Sequence, residues 1–195
     1  MRGLKILAAG AALIAFCSPA LSATFVVDAA GNSSSGSGTG LNTGLTYSIG
    51  DTLTVSAAAD DLWSAGALPR WSNADGLVGA LFATGSDESG QPAGTQIGAN
   101  FGLWSQGGLS APYGSLVGRI GGIYQLLGTN FSGSAWASGT LELFYWDSNS
   151  GDNSGQITVR VGDVPEPASW AMMVGGFGLV GGALRSRRKL TVSFG

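Results

Sequence analysis

The chain is predicted to be all-β, a β-sandwich or jelly roll, flanked by an N-terminal signal peptide and a C-terminal hydrophobic helix. Three observations predict the body. Between its ends the chain shows no apolar period of 3.6 over eleven or more residues, so amphipathic helices have no signal there. Short alternating apolar runs recur instead, split by Gly, Ser, Asn and Asp. Glycine supplies 34 of 195 residues, well above the usual ~7%, yet no strict triplet repeat makes it collagen-like.

The elements follow in order. Phe25-Val26-Val27-Asp28 is a short strand candidate. Residues 30–44 are nearly all Gly, Ser, Asn and Thr and read as a loop. Residues 45–56 alternate: Leu53 and Val55 point one way, Thr52 and Thr54 the other. Residues 57–73 read as a loop carrying Asp60, Asp61, Trp63 and Trp71. Residues 76–84 form a dense apolar strand candidate, and 85–99 a polar excursion. Phe101-Gly102-Leu103-Trp104 is a brief apolar stretch, 116–127 a strand that turns into another, and 128–133 a loop. Residues 139–146 (GTLELFYW) give the strongest strand signal, with Phe144 and Trp146 on one face and Leu143 and Tyr145 on the other. A tight polar loop, 147–155, leads into the alternating QITVRV of 156–161.

The ends read as addresses. Arg2 and Lys5, the apolar run Ile6–Phe16 and the small residues Ser18–Ala23 form a secretory signal, with cleavage after Ser22 or Ala20. Cys17, the one cysteine, leaves with it, so the mature chain has no disulfide. At the other end, Pro165-Glu166-Pro167 precedes a 17-residue apolar run, Ala168–Leu184, and then Arg185, Arg187, Arg188 and Lys189. That length is about the shortest that spans a bilayer, and basic residues after it favour the cytoplasmic side. The organisation expected is signal peptide 1–22, β-sandwich 23–163, sorting and anchor segment 164–189, and tail 190–195.

This tail, with Trp170 and the glycine-rich Gly175-Gly176-Phe177-Gly178, resembles the bacterial PEP-CTERM sorting domain. The resemblance implies export across the inner membrane, a transient anchor there through residues 168–184, and cleavage near the motif by an exosortase, a membrane-embedded protease. The destination is then the cell surface or extracellular matrix.

Charge narrows the function. Residues 24–164 hold three arginines (Arg70, Arg119, Arg160) against eleven carboxylates, a balance of −8. Such a body is a poor partner for nucleic acid and a plausible partner for cations. Histidine is absent and the cysteine is lost, so the usual catalytic triads are out of reach. Glu142 with Asp147 or Asp60 is the one carboxylate combination that suggests glycosidase chemistry; a non-enzymatic role is expected.

Asp147, Asn149, Asp152 and Asn153 fall within seven residues, with Gly151 and Gly155 permitting a tight path. Calcium takes about six to eight hard oxygens, and this loop offers two carboxylates and two amides. The competing reading is a solvated turn whose side chains cap their own backbone. Residues 47–58 and 139–161 resemble the galactose-binding-like β-sandwich of calcium-dependent galactophilic bacterial lectins. That resemblance implies calcium ligands at Asp147, Asp152 and Asn153, with the metal holding sugar hydroxyls. Trp63 and Trp71, beside Asp60 and Asp61, are the candidate sugar-stacking pair. The expected function is binding of exopolysaccharide, with possible calcium assistance; the alternative is a structural matrix protein with no ligand site.

Overall fold

A computed structural model describes residues 22–35, 39–162, 175–179 and 181. The β unit spans Leu21–Val164. Its strands are β1 (Ser22–Asp28), β2 (Leu41–Tyr47), β3 (Thr52–Ala57), β4 (Trp63–Ser64), β5 (Trp71–Ser72), β6 (Leu81–Phe82), β7 (Gln96–Gly98), β8 (Leu103–Gln106), β9 (Leu109–Pro112), β10 (Ser115–Ile120), β11 (Ile123–Leu126), β12 (Asn130–Ser134), β13 (Gly139–Trp146) and β14 (Ser154–Gly162). All-β is the fold class observed.

Two antiparallel sheets carry the fold. One runs β12-β3-β14-β4-β5, with β1 also paired to β14; the other runs β11-β10-β13-β2. The core fills with the residues each strand turns inward. Along β14 Ile157, Val159 and Val161 are buried while Gln156, Thr158 and Arg160 are exposed, the period-two pattern of a half-covered sheet. Leu53 and Val55 from β3 and Leu141, Leu143 and Tyr145 from β13 join the same cluster. Each such side chain, fully buried, stabilises the fold by about 1.5–3 kcal/mol.

The opposite face of β13 is buried as well. Phe144 and Trp146 pack with Val117 and Ala111 beneath Trp104, Leu109 and Tyr124. The β8–β9 ribbon supplies Trp104 and Leu109 and β11 supplies Tyr124, and Trp146 donates its indole N–H to the Trp104 carbonyl at 2.9 Å. The two faces expected of β13 are therefore the two observed.

Four segments depart from the sequence reading. The apolar run 76–84 is mostly loop, with only Leu81–Phe82 in a strand. Leu77 is buried but Val78 is 59% exposed, and Gly76 sits at φ +86, a conformation that interrupts an extended run. The loop expected at 128–133 is largely β12, paired with β3, with Phe131 set against the core. The loop expected at 30–44 contains the start of β2, an outer strand that tolerates polar residues, paired to β13 with a bulge between Thr140 and Glu142. The loop expected at 57–73 holds β4 and β5, paired to each other and, through β4, to β14.

The C-terminal expectation is corrected too. Among the described residues no helix is long and apolar enough to cross a membrane. The helical residues there are 175–179 and 181, and four of these six are glycine, each costing a helix about 1 kcal/mol relative to alanine. The expected spanning helix, and with it the transient inner-membrane anchor through 168–184, is not supported. The rest of 168–184, the sorting motif Pro165-Glu166-Pro167, the basic residues Arg185, Arg187 and Arg188, and signal residues 1–21 lie outside the described residues.

Candidate functional site at the β13–β14 loop

Strand β13 delivers Asp147 at the end of its inward-facing row, two residues after Tyr145. Asp147 is only 4% exposed. Its backbone is clasped from across the chain: Ser34 Oγ donates to the Asp147 carbonyl at 3.0 Å, and the Asp147 N–H donates to Ser34 Oγ at 3.1 Å. The Ser148 N–H donates to its carboxylate at 2.6 Å. Burial raises the Asp147 pKa above the ordinary carboxylate value; backbone amides of Ser148 and Asn149 and the Asn153 side chain oppose that, and Asp152 adds to it.

The rest of the loop divides its polar atoms. Asn149 Oδ1 accepts from the Gly151 N–H at 3.2 Å, and its amide donates to Asp152 Oδ1 at 2.7 Å. These are the self-capping bonds of a polar turn. Asn153 reaches further, donating to the Ala29 carbonyl at 3.1 Å. Its Oδ1 is buried with no hydrogen-bond partner among the described residues. The Tyr145 hydroxyl is also buried and, among the described residues, unpartnered. Burial holds its proton on, and the charges of Asp147 and Asp152 add to that effect. Buried polar atoms are rarely left unsatisfied, so the site has acceptor capacity that its own chain does not use.

Pairing of β4 with the start of β14 completes the wall. Gly155 lies opposite Trp63, and its positive φ of 85° lets the strand begin against the Trp63 backbone. The β4–β5 connection brings Arg70 to the loop: its Nη1 lies 3.5 Å from Asp152 Oδ2 and 3.5 Å from the Ala65 carbonyl.

The predicted site residues therefore fall into groups. Asp147, Asn149, Asp152 and Asn153 do share one loop, with Asn149 and Asp152 bonded to each other. Trp63 and Trp71 are not an exposed pair. Trp63 is wholly buried, edge-on to Tyr145 with centroids 4.5 Å apart, and donates its indole N–H to the Gly114 carbonyl at 2.8 Å. Trp71 is half-buried against Leu62, Ala83 and Ile97. Glu142, the carboxylate common to the glycosidase combinations, is bound by Arg119, and Asp61, beside Asp60, accepts the Thr158 N–H at 2.6 Å. Arg70, the Ala65 carbonyl and Ser34 escaped the sequence reading, because pairing across more than 70 residues brings them to the loop.

The donor set suits a hard cation in kind, since every available atom is oxygen. Among the described residues no group of three or more His, Cys, Asp or Glu could hold a metal, so carbonyl and amide oxygens would have to complete any coordination.

Comparison with known proteins adds two findings. A family model described as the PEP-CTERM protein-sorting motif matches residues 163–189. The tail is thus similar to a PEP-CTERM sorting motif. The β unit is weakly similar to a solved structure titled "EclA N-terminal domain; PllA-like lectin", at 21% identity and a TM-score of 0.46, covering 72% of this chain and 95% of that one. No curated protein matches the chain.

Proposed function

We propose that the chain is an exported, non-catalytic surface or matrix protein. Its β-sandwich binds exopolysaccharide with calcium held at the β13–β14 loop. The sorting motif supports export and processing by an exosortase-type protease that reads Pro165-Glu166-Pro167.

One observation carries the binding reading. A desolvated carboxylate, Asp147, shares a loop with a buried, unpartnered acceptor, Asn153 Oδ1. A hard cation satisfies both at once, drawing Asp147 and Asn153 together with Asp152 after that carboxylate leaves Arg70. A calcium ion held there supplies positive charge to which sugar hydroxyl oxygens bind. The protein's part is to hold the loop, through Ser34 and Ala29, so that little ordering remains at binding.

The test is calcium titration of the full chain by calorimetry beside a thermal melt. Saturable heat and a raised Tm, both lost in an Asp147→Ala/Asp152→Ala variant, support the reading. No heat and no shift at millimolar calcium overturn it and leave the structural alternative.

A further inference from the structure

Arg70 is placed to do more than hold Asp152. Its guanidinium carbon lies 4.4 Å from the centroid of the Phe101 ring. Phe101 is itself 46% exposed and is braced edge-on by Tyr113 at 5.2 Å. Only Nη1 has partners, Asp152 Oδ2 and the Ala65 carbonyl, and both distances are 3.5 Å. Among the described residues the other guanidinium nitrogens make no hydrogen bond. A guanidinium carries five N–H donors in a rigid fork that matches a carboxylate. Here most of that fork is unspent, and an aromatic ring lies against it.

The contrast with Arg119 sharpens the point. Arg119 spends three nitrogens on Glu142 and Tyr124 at 2.7–3.0 Å. Arg70 is half of a looser pair whose side chains are 35% and 44% exposed, and such pairs contribute little to stability. Exposed Leu68 (45%) lies two residues before it in the same connection.

We infer that Arg70, seated on Phe101, is the anion-reading subsite of the glycan site, selecting sugar residues that carry a carboxylate. The inference rests on the glycan-binding reading and narrows it to acidic polysaccharide. A uronate carboxylate takes the outer fork of Arg70 in a two-pronged pair, while its ring carbons lie against Phe101. The acidic body repels a polyanion at long range, but salt screens exposed charges beyond about 8 Å under physiological conditions. The local fork then decides.

The experiment uses the full chain in saturating calcium. Oligosaccharides of galacturonate and of hyaluronan are each compared with the same oligosaccharide after its carboxyls are reduced to alcohols. Calorimetry should show at least one carboxylated probe binding about tenfold tighter than its neutral twin, with the gap shrinking as salt rises. Arg70→Gln should bring the two to parity. Phe101→Leu, which leaves the charge but removes the ring, should narrow the gap; it serves if Arg70→Gln melts early. Equal binding of both twins overturns the inference and spares the glycan reading. A preference that survives Arg70→Gln also overturns it. Binding of neither twin in any pair overturns both.

Discussion

Arg119 and Glu142 face each other across β10 and β13 and close a two-pronged ion pair, Nε to Oε2 at 2.7 Å and Nη2 to Oε1 at 2.9 Å. The guanidinium also lies 4.7 Å from the Phe144 ring and donates to the Tyr124 hydroxyl at 3.0 Å. The pair is three-quarters covered, so its charge-assisted bonds are stronger than an exposed pair's. Glu142→Gln should cost about 1–3 kcal/mol and lower Tm by roughly 2–4 °C per kcal/mol. A melt unchanged from the parent would show that the pair is idle.

Trp63 is a structural anchor rather than a sugar platform. Trp63→Ala should destabilise by about 3–5 kcal/mol, the range for removing a buried aromatic. Urea unfolding reads the loss as a lower midpoint. A stable variant that had lost only glycan binding would contradict the placement of this ring.

The pH dependence of Asp147 has a definite sign. Its folded pKa is raised, chiefly by burial, so ionising it opposes folding. Its favourable contribution is complete below the unfolded carboxylate pKa and is lost as pH rises through the folded value. In chelator, Asp147→Asn should therefore melt higher than the parent at neutral pH, with the gap closing in acid. On the calcium reading proposed above, added calcium should raise the Tm of the parent and not of that variant. A lower Tm at neutral pH in chelator would refute this account.

Asp87 behaves in the opposite way. Ser89 Oγ and the Thr84 N–H donate to its carboxylate, and these bonds, Ser89 first, lower its pKa to about 2. Its contribution is present above the unfolded value and fades as pH falls through about 2. Carboxyl carbon shifts followed by NMR should show Asp87 ionised at pH 3. A midpoint near 4 would mean that the turn does not hold these bonds in solution.

Gly66 sits at φ +120, and a methyl group there would run into the Asp152 carboxylate. Gly66→Ala should cost about 1–3 kcal/mol of backbone strain and displace Asp152 from Arg70. Unchanged stability together with unchanged calcium response would count against the tight fit of these two loops.

Much of this architecture was legible because burial writes a period into the chain. Strand β13 and the inward row of β14 show it plainly, since both faces or alternate faces must be apolar. Strand β12 does not, because its sequence is mostly Ser and Gly and only Phe131 touches the core. Residues 76–84 misled in the other direction: Val78 and Phe82 are apolar yet exposed, and only Leu81–Phe82 of the run forms a strand. At the site, local sequence grouped Asp147–Asn153, because these residues share one loop and Asn149 and Asp152 bond to each other. It could not locate Arg70 or Ser34, which arrive through pairing of distant segments. Trp63 looked exposed because polar neighbours surround it in sequence, whereas in space Tyr145 does.

The pairing of β1 with β14 sets Ser22 opposite Gly162 and Asp28 opposite Gln156. Both ends of the β unit thus meet at one end of β14, while the Asp147–Asn153 loop adjoins the other, about 27 Å away at ~3.4 Å per residue. A coat built from such units would have a polarity. Whatever grips the segments that enter β1 and leave β14 holds each unit by its root, and the Asp147–Asn153 loop becomes the outward crown.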